Sequence, residues 1–369
     1  MPKEYVSLNA FRALAAFWVL AAHCSIWGGW RTPFIPEPKL AVNLFMVLSG
    51  FLMVHVSNSR WDEEPLNRLR NFNRFVTRRF FRIAPAYYLS LLLAAIFSSY
   101  FLGGYQVLYD NSPIAFSDVL NPRNFSFDYL NIIAHISFLF GLHPTLSFST
   151  YLPDWSLSLE MQFYVAFPLI YIAFRKIGPA SASVPLWISC FLATYLLRGH
   201  AQYTEPSLIV FKLKFFLSGM MLWYSLNDRG HLYRKYLYFV ISIAMSADRS
   251  QMGFVCPVLV ASMYALSAAE NSGFSVRFLR SRVITFCSDV SYGVYLFHGF
   301  FISASGLLIG SNPTLLGLNP IQRSLLIFAI TLPGSYLAAA LVHRLVELPG
   351  ISLGQRILRR KRVGADALA

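Results

Sequence analysis

The sequence predicts an all-α polytopic membrane protein with about ten transmembrane helices. Three observations predict it. Of 369 residues, 56% are hydrophobic and only 13% are charged, with a mean hydropathy of +0.50; a soluble domain carries about a quarter charged residues. Apolar runs long enough to span a bilayer recur from Leu8 to His343. The net charge of +14 falls in alternate connections between those runs, the distribution of the positive-inside rule.

The basic clusters are Arg60, Arg68, Arg70, Arg74, Arg78, Arg79 and Arg82, then Arg175 with Lys176, then Arg229, Arg234 and Lys235, then Arg277, Arg280 and Arg282. Arg356, Arg359, Arg360, Lys361 and Arg362 close the chain. The intervening connections hold only Arg31 and Lys39, then Arg123, Arg198 and Arg249. A charge pattern set by topology makes anionic lipid headgroups the default partner and argues against nucleic acid. Cys24, Cys190, Cys256 and Cys287 are scattered through apolar segments without a CxxC pair, which reads as buried small hydrophobes, and no metal site is expected.

With the basic connections in the cytoplasm, the first helix runs outward over about residues 8–27 and the second returns over about 40–57. A cytoplasmic connection leads to an outward third helix near 83–102. Residues 103–154 contain only the short apolar stretch "NIIAHISFLFGL", too short for an ordinary span and read as re-entrant or cavity-bound. Helix four (about 155–174) then runs inward. Helices five to eight follow near 184–198, 206–226, 236–248 and 252–269, nine near 284–309 and ten near 322–344. Both termini are cytoplasmic on this reading. Residues 1–350 form one membrane domain, and 351–369 a basic cytoplasmic tail.

Ionisable residues inside spans are costly and mark function or pairing. Arg12 and His23 lie about 16 Å apart along the first helix and project to nearly one face. Either alone suits an interfacial position; together they suggest one cavity. Arg79 and Arg82 share a helix face, and paired guanidiniums suit phosphate, although an ordinary positive-inside flank accounts for them at least as well. Ser49 and Gly50 permit close approach of a helix or ligand, with helix packing the simpler role. Glu160 lies inside helix four beyond Trp155, needing a partner such as His23 at comparable depth. His298, near the middle of helix nine, reads as a hydrogen-bonded packing residue. Lys212 and Lys214 lie in helix six, and Glu347, beside Arg344, reads as charge pairing at the membrane edge.

In order, "LNAFRALAAFWVLAAH", "NLFMVLSGF", "RRFFRIAPAYYL", "WSLSLEMQFYVAFPLI", "SYGVYLFHGFF" and "HRLVELPG" resemble the acyltransferase-3 family of integral-membrane acyltransferases. The family's Arg–ten residues–His motif falls on Arg12 and His23, and its Arg-x-x-Arg motif on Arg79 and Arg82. Its Ser-Gly-Phe falls on Ser49, Gly50 and Phe51, and its Trp-Ser-Leu…Glu on Trp155, Ser156, Leu157 and Glu160. The resemblance implies O-acyl, commonly O-acetyl, transfer to an extracytoplasmic or lipid-linked glycan such as O-antigen or exopolysaccharide, in the inner (cytoplasmic) membrane. No SGNH-type domain is expected after helix ten.

On that resemblance, Arg79 and Arg82 are expected to hold the phosphates of cytoplasmic acyl-CoA, most simply acetyl-CoA, with Arg12 on pantetheine or thioester. His23 is the expected general base and Glu160 its orienting carboxylate. Ser49, Trp155 and His298 line the site, with His298 and Arg12 as alternative oxyanion donors. A transporter or flippase of a lipid-linked sugar or anionic metabolite is the rival reading.

Overall fold

The computed structural model describes residues 5–30, 37–112, 128–150, 152–197, 200, 202–203, 205–248, 250, 252–274 and 277–366, with side chains described to 359. Among the described residues all regular structure is helical. The elements are α1 (Val6–Gly28), α2 (Pro38–Ser59), α3 (Leu69–Ile96), α4 (Ser98–Asp110), α5 (Tyr129–Ile136), α6 (Trp155–Ile177), α7 (Pro179–Leu197), α8 (Ile209–Asn227), α9 (Leu232–Ser246) and α10 (Val255–Asn271). Then come α11 (Arg282–Asp289), α12 (Ser291–Gly310), α13 (Pro313–Leu316), α14 (Pro320–Val342), a π-helical turn (His343–Glu347) and α15 (Leu348–Asp366).

Local chemistry sets several boundaries. Gly29 takes the left-handed conformation (φ 84°) and its N–H returns to the Ile26 carbonyl, while Trp30 N–H reaches Ser25 O at 2.9 Å; this closes α1 with the residue type that turn favours. At the start of α14, Asn319 accepts from Gln322 N–H at 3.0 Å, and Gln322 accepts from Asn319 N–H at 3.2 Å, a capping box with Pro320 at the first helical position.

Eight helices among the described residues are long and apolar enough to cross a membrane. Helices expected near 236–248 and 252–269 are present as α9 and α10, but at 15 and 17 residues they reach about 22 and 25 Å, short of the roughly 30 Å hydrocarbon core. The third helix begins at Leu69 rather than near 83, so Arg70, Arg74, Arg78, Arg79 and Arg82 lie on α3 itself. Their charge hides the segment from a hydropathy reading, but arginine is a good helix former. Between helices three and four, α4 continues to Asp110 and α5 follows at 129–136, with single turns at 140–142 and 146–148. The expected cations Arg31, Arg123, Arg198 and Arg249 lie outside the described residues.

Contacts between helix ends order the bundle. At one end Tyr5 donates to Asn227 Oδ1 at 3.0 Å and Ser7 N–H to Glu270 Oε1 at 2.7 Å, joining the start of α1 to the ends of α8 and α10. This basic end also carries Arg74 and Arg78, paired with Glu64 at 3.2 and 2.7 Å, and Arg175 stacked on Trp61 at 4.1 Å. At the opposite end Lys39 pairs with Glu205 at 3.1 Å, and Ser324 lies against Ser25 O at 3.3 Å. The segment before α6 is held there by Asp154, buried, which accepts from Tyr87 at 3.0 Å and Thr150 at 3.2 Å and faces His135 at 3.4 Å.

Glycines set the closest helix approaches. A Cβ on Gly50 would meet the Phe216 carbonyl, and one on Gly219 the Val47 carbonyl, so α2 and α8 pack backbone to backbone. At the chain's end, residues expected as a tail continue as α15, where Gly350 lies against Pro85 and Gly354 against Phe81 of α3.

Candidate functional site

Two polar clusters meet α1, one near Arg12 and one at His23. The first is at the basic end. There a cavity of about 240 Å³ is lined by Arg60, Arg78, Arg79 and Arg82, by Glu64, Val56, Leu66 and Phe75, and by Ile351 and Gln355 of α15. Glu64 neutralises Arg74 and Arg78. Arg79 makes no salt bridge among the described residues, although Glu160 lies within its electrostatic reach: its Nε is buried with no hydrogen-bond partner, and its guanidinium lies 5.6 Å from the Phe75 ring centre and 5.9 Å from that of Tyr164. Cation–π contacts orient a guanidinium but leave its N–H donors free. The cavity thus presents buried and exposed arginines ready for a multiply charged anion.

One step inward, Arg12 Nη2 donates to Ser291 Oγ at 3.4 Å and lies within electrostatic reach of Arg82, Asp289 and Glu160. Glu160 accepts from Ser49 at 3.2 Å and from the Tyr164 hydroxyl. This is a different seat from the one its depth suggested. Among the described residues, Glu160 belongs to the arginine cluster and not to His23; Tyr164, one turn on, turns it toward Arg79. Trp155 is buried in the first turn of α6, and its neighbour Ser156 meets the Tyr295 hydroxyl at 2.7 Å.

The second cluster is a histidine pair. His23 Nδ1 lies 2.9 Å from His298 Nε2, with ring planes 13° apart. His298, 2% exposed, has its Nδ1 at 2.8 Å from Tyr295 O and 3.2 Å from Val294 O. Carbonyl oxygens only accept, so His298 Nδ1 bears the proton and Nε2 the lone pair. His23 must then donate through Nδ1, and its Nε2 is left as the basic nitrogen. Among the described residues nothing occupies Nε2. The partner at His23 Nδ1 is therefore His298 and not the expected Glu160, an arrangement that fixes the tautomer of a histidine.

The structure brings Arg12, Arg79, Arg82, Glu160 and Ser49 to one cluster and His23 and His298 to another, whereas sequence reasoning puts Glu160 beside His23. It passed over Tyr164 and Tyr295, which sit four residues from Glu160 and three from His298; helical spacing alone points to both. Glu347 pairs not with Arg344 but with His343, at 2.9 Å, four residues before it on the same helix face.

A family model described as an acyltransferase domain matches residues 5–340. The chain is 26% identical over 216 residues to the peptidoglycan O-acetyltransferase OatA of Listeria monocytogenes, an alignment covering 57% of this chain and 31% of that protein. It is 28% identical over 163 residues to Protein 2 in the picA locus of Rhizobium radiobacter, covering 43% of this chain and 78% of that protein. The chain thus spans about a third of the length of OatA, and no solved structure matches it. With the match running through α1 to α14, and the Arg12–His23 and Arg79–Arg82 spacings inside it, the chain belongs to the acyltransferase-3 family of membrane acyltransferases.

Proposed function

We propose that the protein is a membrane O-acyltransferase that moves an acyl group, acetyl in the simplest case, from acyl-CoA to a hydroxyl of a cell-envelope glycan. The observation that carries this reading is the separation of two clusters that α1 joins: Arg12, within electrostatic reach of Arg82 of the arginine cavity, and His23 of the histidine pair lie about 16 Å apart along the helix. A reaction whose donor and acceptor come from opposite sides of a membrane needs that separation. The peptidoglycan O-acetyltransferase relative supports the acetyl group and the glycan acceptor.

With the basic end in the cytoplasm, Arg79, Arg82 and Arg60 hold the donor phosphates. Glu160 and Tyr164 keep the cluster aligned, and Arg12 meets the donor between mouth and base. An arginine side chain on Cα 12 does not reach the depth of His23, so Arg12 holds the arm of the donor and not the reacting carbonyl. His23 Nε2 takes the proton of the acceptor hydroxyl as its oxygen bonds the thioester carbonyl carbon. The tetrahedral intermediate collapses with loss of the thiolate. His298 accepts from His23 Nδ1 throughout and stabilises the imidazolium. The oxyanion needs O–H or N–H donors at that depth; the Tyr295 hydroxyl, whose ring centre is 6.3 Å from that of His298, fills the role with Ser156.

The test uses the purified protein in nanodiscs with radiolabelled acetyl-CoA and a cell-envelope glycan extract. Label is expected on glycan with the wild type and not with His23→Ala. Arg79→Ala/Arg82→Ala is expected to lose donor binding. Full activity of His23→Ala, or movement of a lipid-linked glycan with no label transferred, refutes the reading, and the second result makes the protein a transporter.

A further inference from the structure

The π turn offers a group that the reading above does not use. Glu347 is 6% exposed. One of its oxygens, Oε2, meets His343 Nδ1 at 2.9 Å, while Oε1 is buried with no hydrogen-bond partner. The carboxylate lies within electrostatic reach of Arg82 and Arg12, and Tyr292, held by its hydroxyl to Ile83 O at 2.9 Å, senses both Glu347 and Glu160. Ile351, one turn further on, lines the arginine cavity, which places Glu347 in the layer at that cavity's wall.

An orphaned carboxylate oxygen in such a place is expensive: leaving a buried acceptor unmade costs more than its bond would contribute. The backbone is also altered to put it there. A π turn adds a residue to one turn of an otherwise continuous helix from Pro320 to Asp366, and such turns concentrate at functional sites. The need is for a neutral N–H or O–H donor beside two guanidiniums. Phosphate has none at neutral pH. The pantetheine arm has two amide N–H groups and a hydroxyl, and it is the part of an acyl-CoA that crosses this layer.

We propose that Glu347 is the pantetheine-recognising acceptor of the donor channel, Oε1 taking a hydrogen bond from an amide or hydroxyl of the arm. This rests on acyl-CoA being the donor. The arginines then read the charge of the donor and Glu347 reads its arm, so the two ends of one ligand are separable by substitution.

The experiment is competition against bound radiolabelled acetyl-CoA in nanodiscs, with two fragments. S-acetylpantetheine carries the arm without the nucleotide; adenosine 3′,5′-bisphosphate carries phosphates without the arm. Glu347→Ala is expected to weaken displacement by S-acetylpantetheine about 10-fold or more, the loss of a bond to a charged acceptor, and to leave the bisphosphate curve unmoved. Arg79→Ala/Arg82→Ala is expected to do the reverse. Glu347→Gln, which keeps the shape and one acceptor oxygen, shifts the S-acetylpantetheine curve the same way by less, and it decides the matter alone where the alanine variant does not fold. An equal shift of both curves makes Glu347 a structural residue and overturns the proposal, as does no shift in either. A wild type that binds no acetyl-CoA overturns the donor assignment and this inference with it; a wild type that binds, with curves insensitive to Glu347, overturns this inference alone.

Discussion

His298→Leu is the sharpest probe of the histidine pair. Leucine is close to histidine in volume, and His298 is almost fully buried, so the change removes an acceptor with little cavity. What is lost is the 2.9 Å contact to His23 Nδ1. In the resting enzyme this is a neutral hydrogen bond, worth about 1 kcal/mol. On the proposed mechanism, as His23 takes the acceptor's proton the same contact becomes charge-assisted and roughly doubles in strength. The difference alone, about 1 kcal/mol, slows the chemical step about 5-fold, and loss of the fixed tautomer adds to it. We expect kcat to fall about 10- to 100-fold with the KM for donor unchanged, by the arithmetic of an interaction strengthened in the transition state. His298→Gln can set its amide oxygen near the lost Nε2 and is expected to recover part of the rate; His298→Asn, one carbon shorter, is not. The assay is label transfer at saturating donor with each variant in nanodiscs. A His298→Leu enzyme within 3-fold of wild type, or one altered only in KM, refutes the tautomer argument.

Three further outcomes follow from the packing. Gly219→Ala places a methyl group against the Val47 carbonyl, and thermal unfolding in detergent is expected to register the cost of overpacking, about 1–3 kcal/mol. Asp154→Ala orphans the Tyr87 hydroxyl and removes the partner of His135; at about 1–3 kcal/mol for each orphaned buried group, proteolysis within 129–150 should accelerate before the bundle melts. Burial pushes the Glu64 carboxyl up, but the hydrogen bond from Arg78 and the charges of Arg78 and Arg74 outweigh it and hold it below the usual carboxylate range. A depressed value means stability that is present above the normal range and lost as pH falls through the lowered one, so the gap in melting temperature between wild type and Glu64→Gln should be full at pH 7 and close on acidification; a constant gap denies the ion pairs this role.

The sequence carries what one helix decides by itself. The shared face of Arg12 and His23 is a matter of period along α1, and the recurring apolar runs give an all-helical chain in which eight helices among the described residues are long and apolar enough to cross a membrane. It does not carry what two distant helices decide together. The partner of His23 lies 275 positions away, and Glu160, equally near in depth, was the natural guess until the Ser49 and Tyr164 hydroxyls claimed it. The true start of α3 was hidden by the arginines that matter most to it, since hydropathy cannot distinguish a charged loop from a charged helix lining a cavity. A π turn leaves no signature in residue type at all, so the burial of Glu347 was out of reach.

The close seam where Gly50 meets Phe216 and Gly219 meets Val47 has a consequence beyond stability. Ser49, whose hydroxyl donates to Glu160 at 3.2 Å, is the neighbour of Gly50, so the seam between α2 and α8 also sets where α2 carries that hydroxyl toward α6. A larger residue at either glycine would lengthen the reach from Ser49 to Glu160 without touching either of them. Laboratory variants that keep the fold but lose activity should therefore gather along this seam as well as around the histidines.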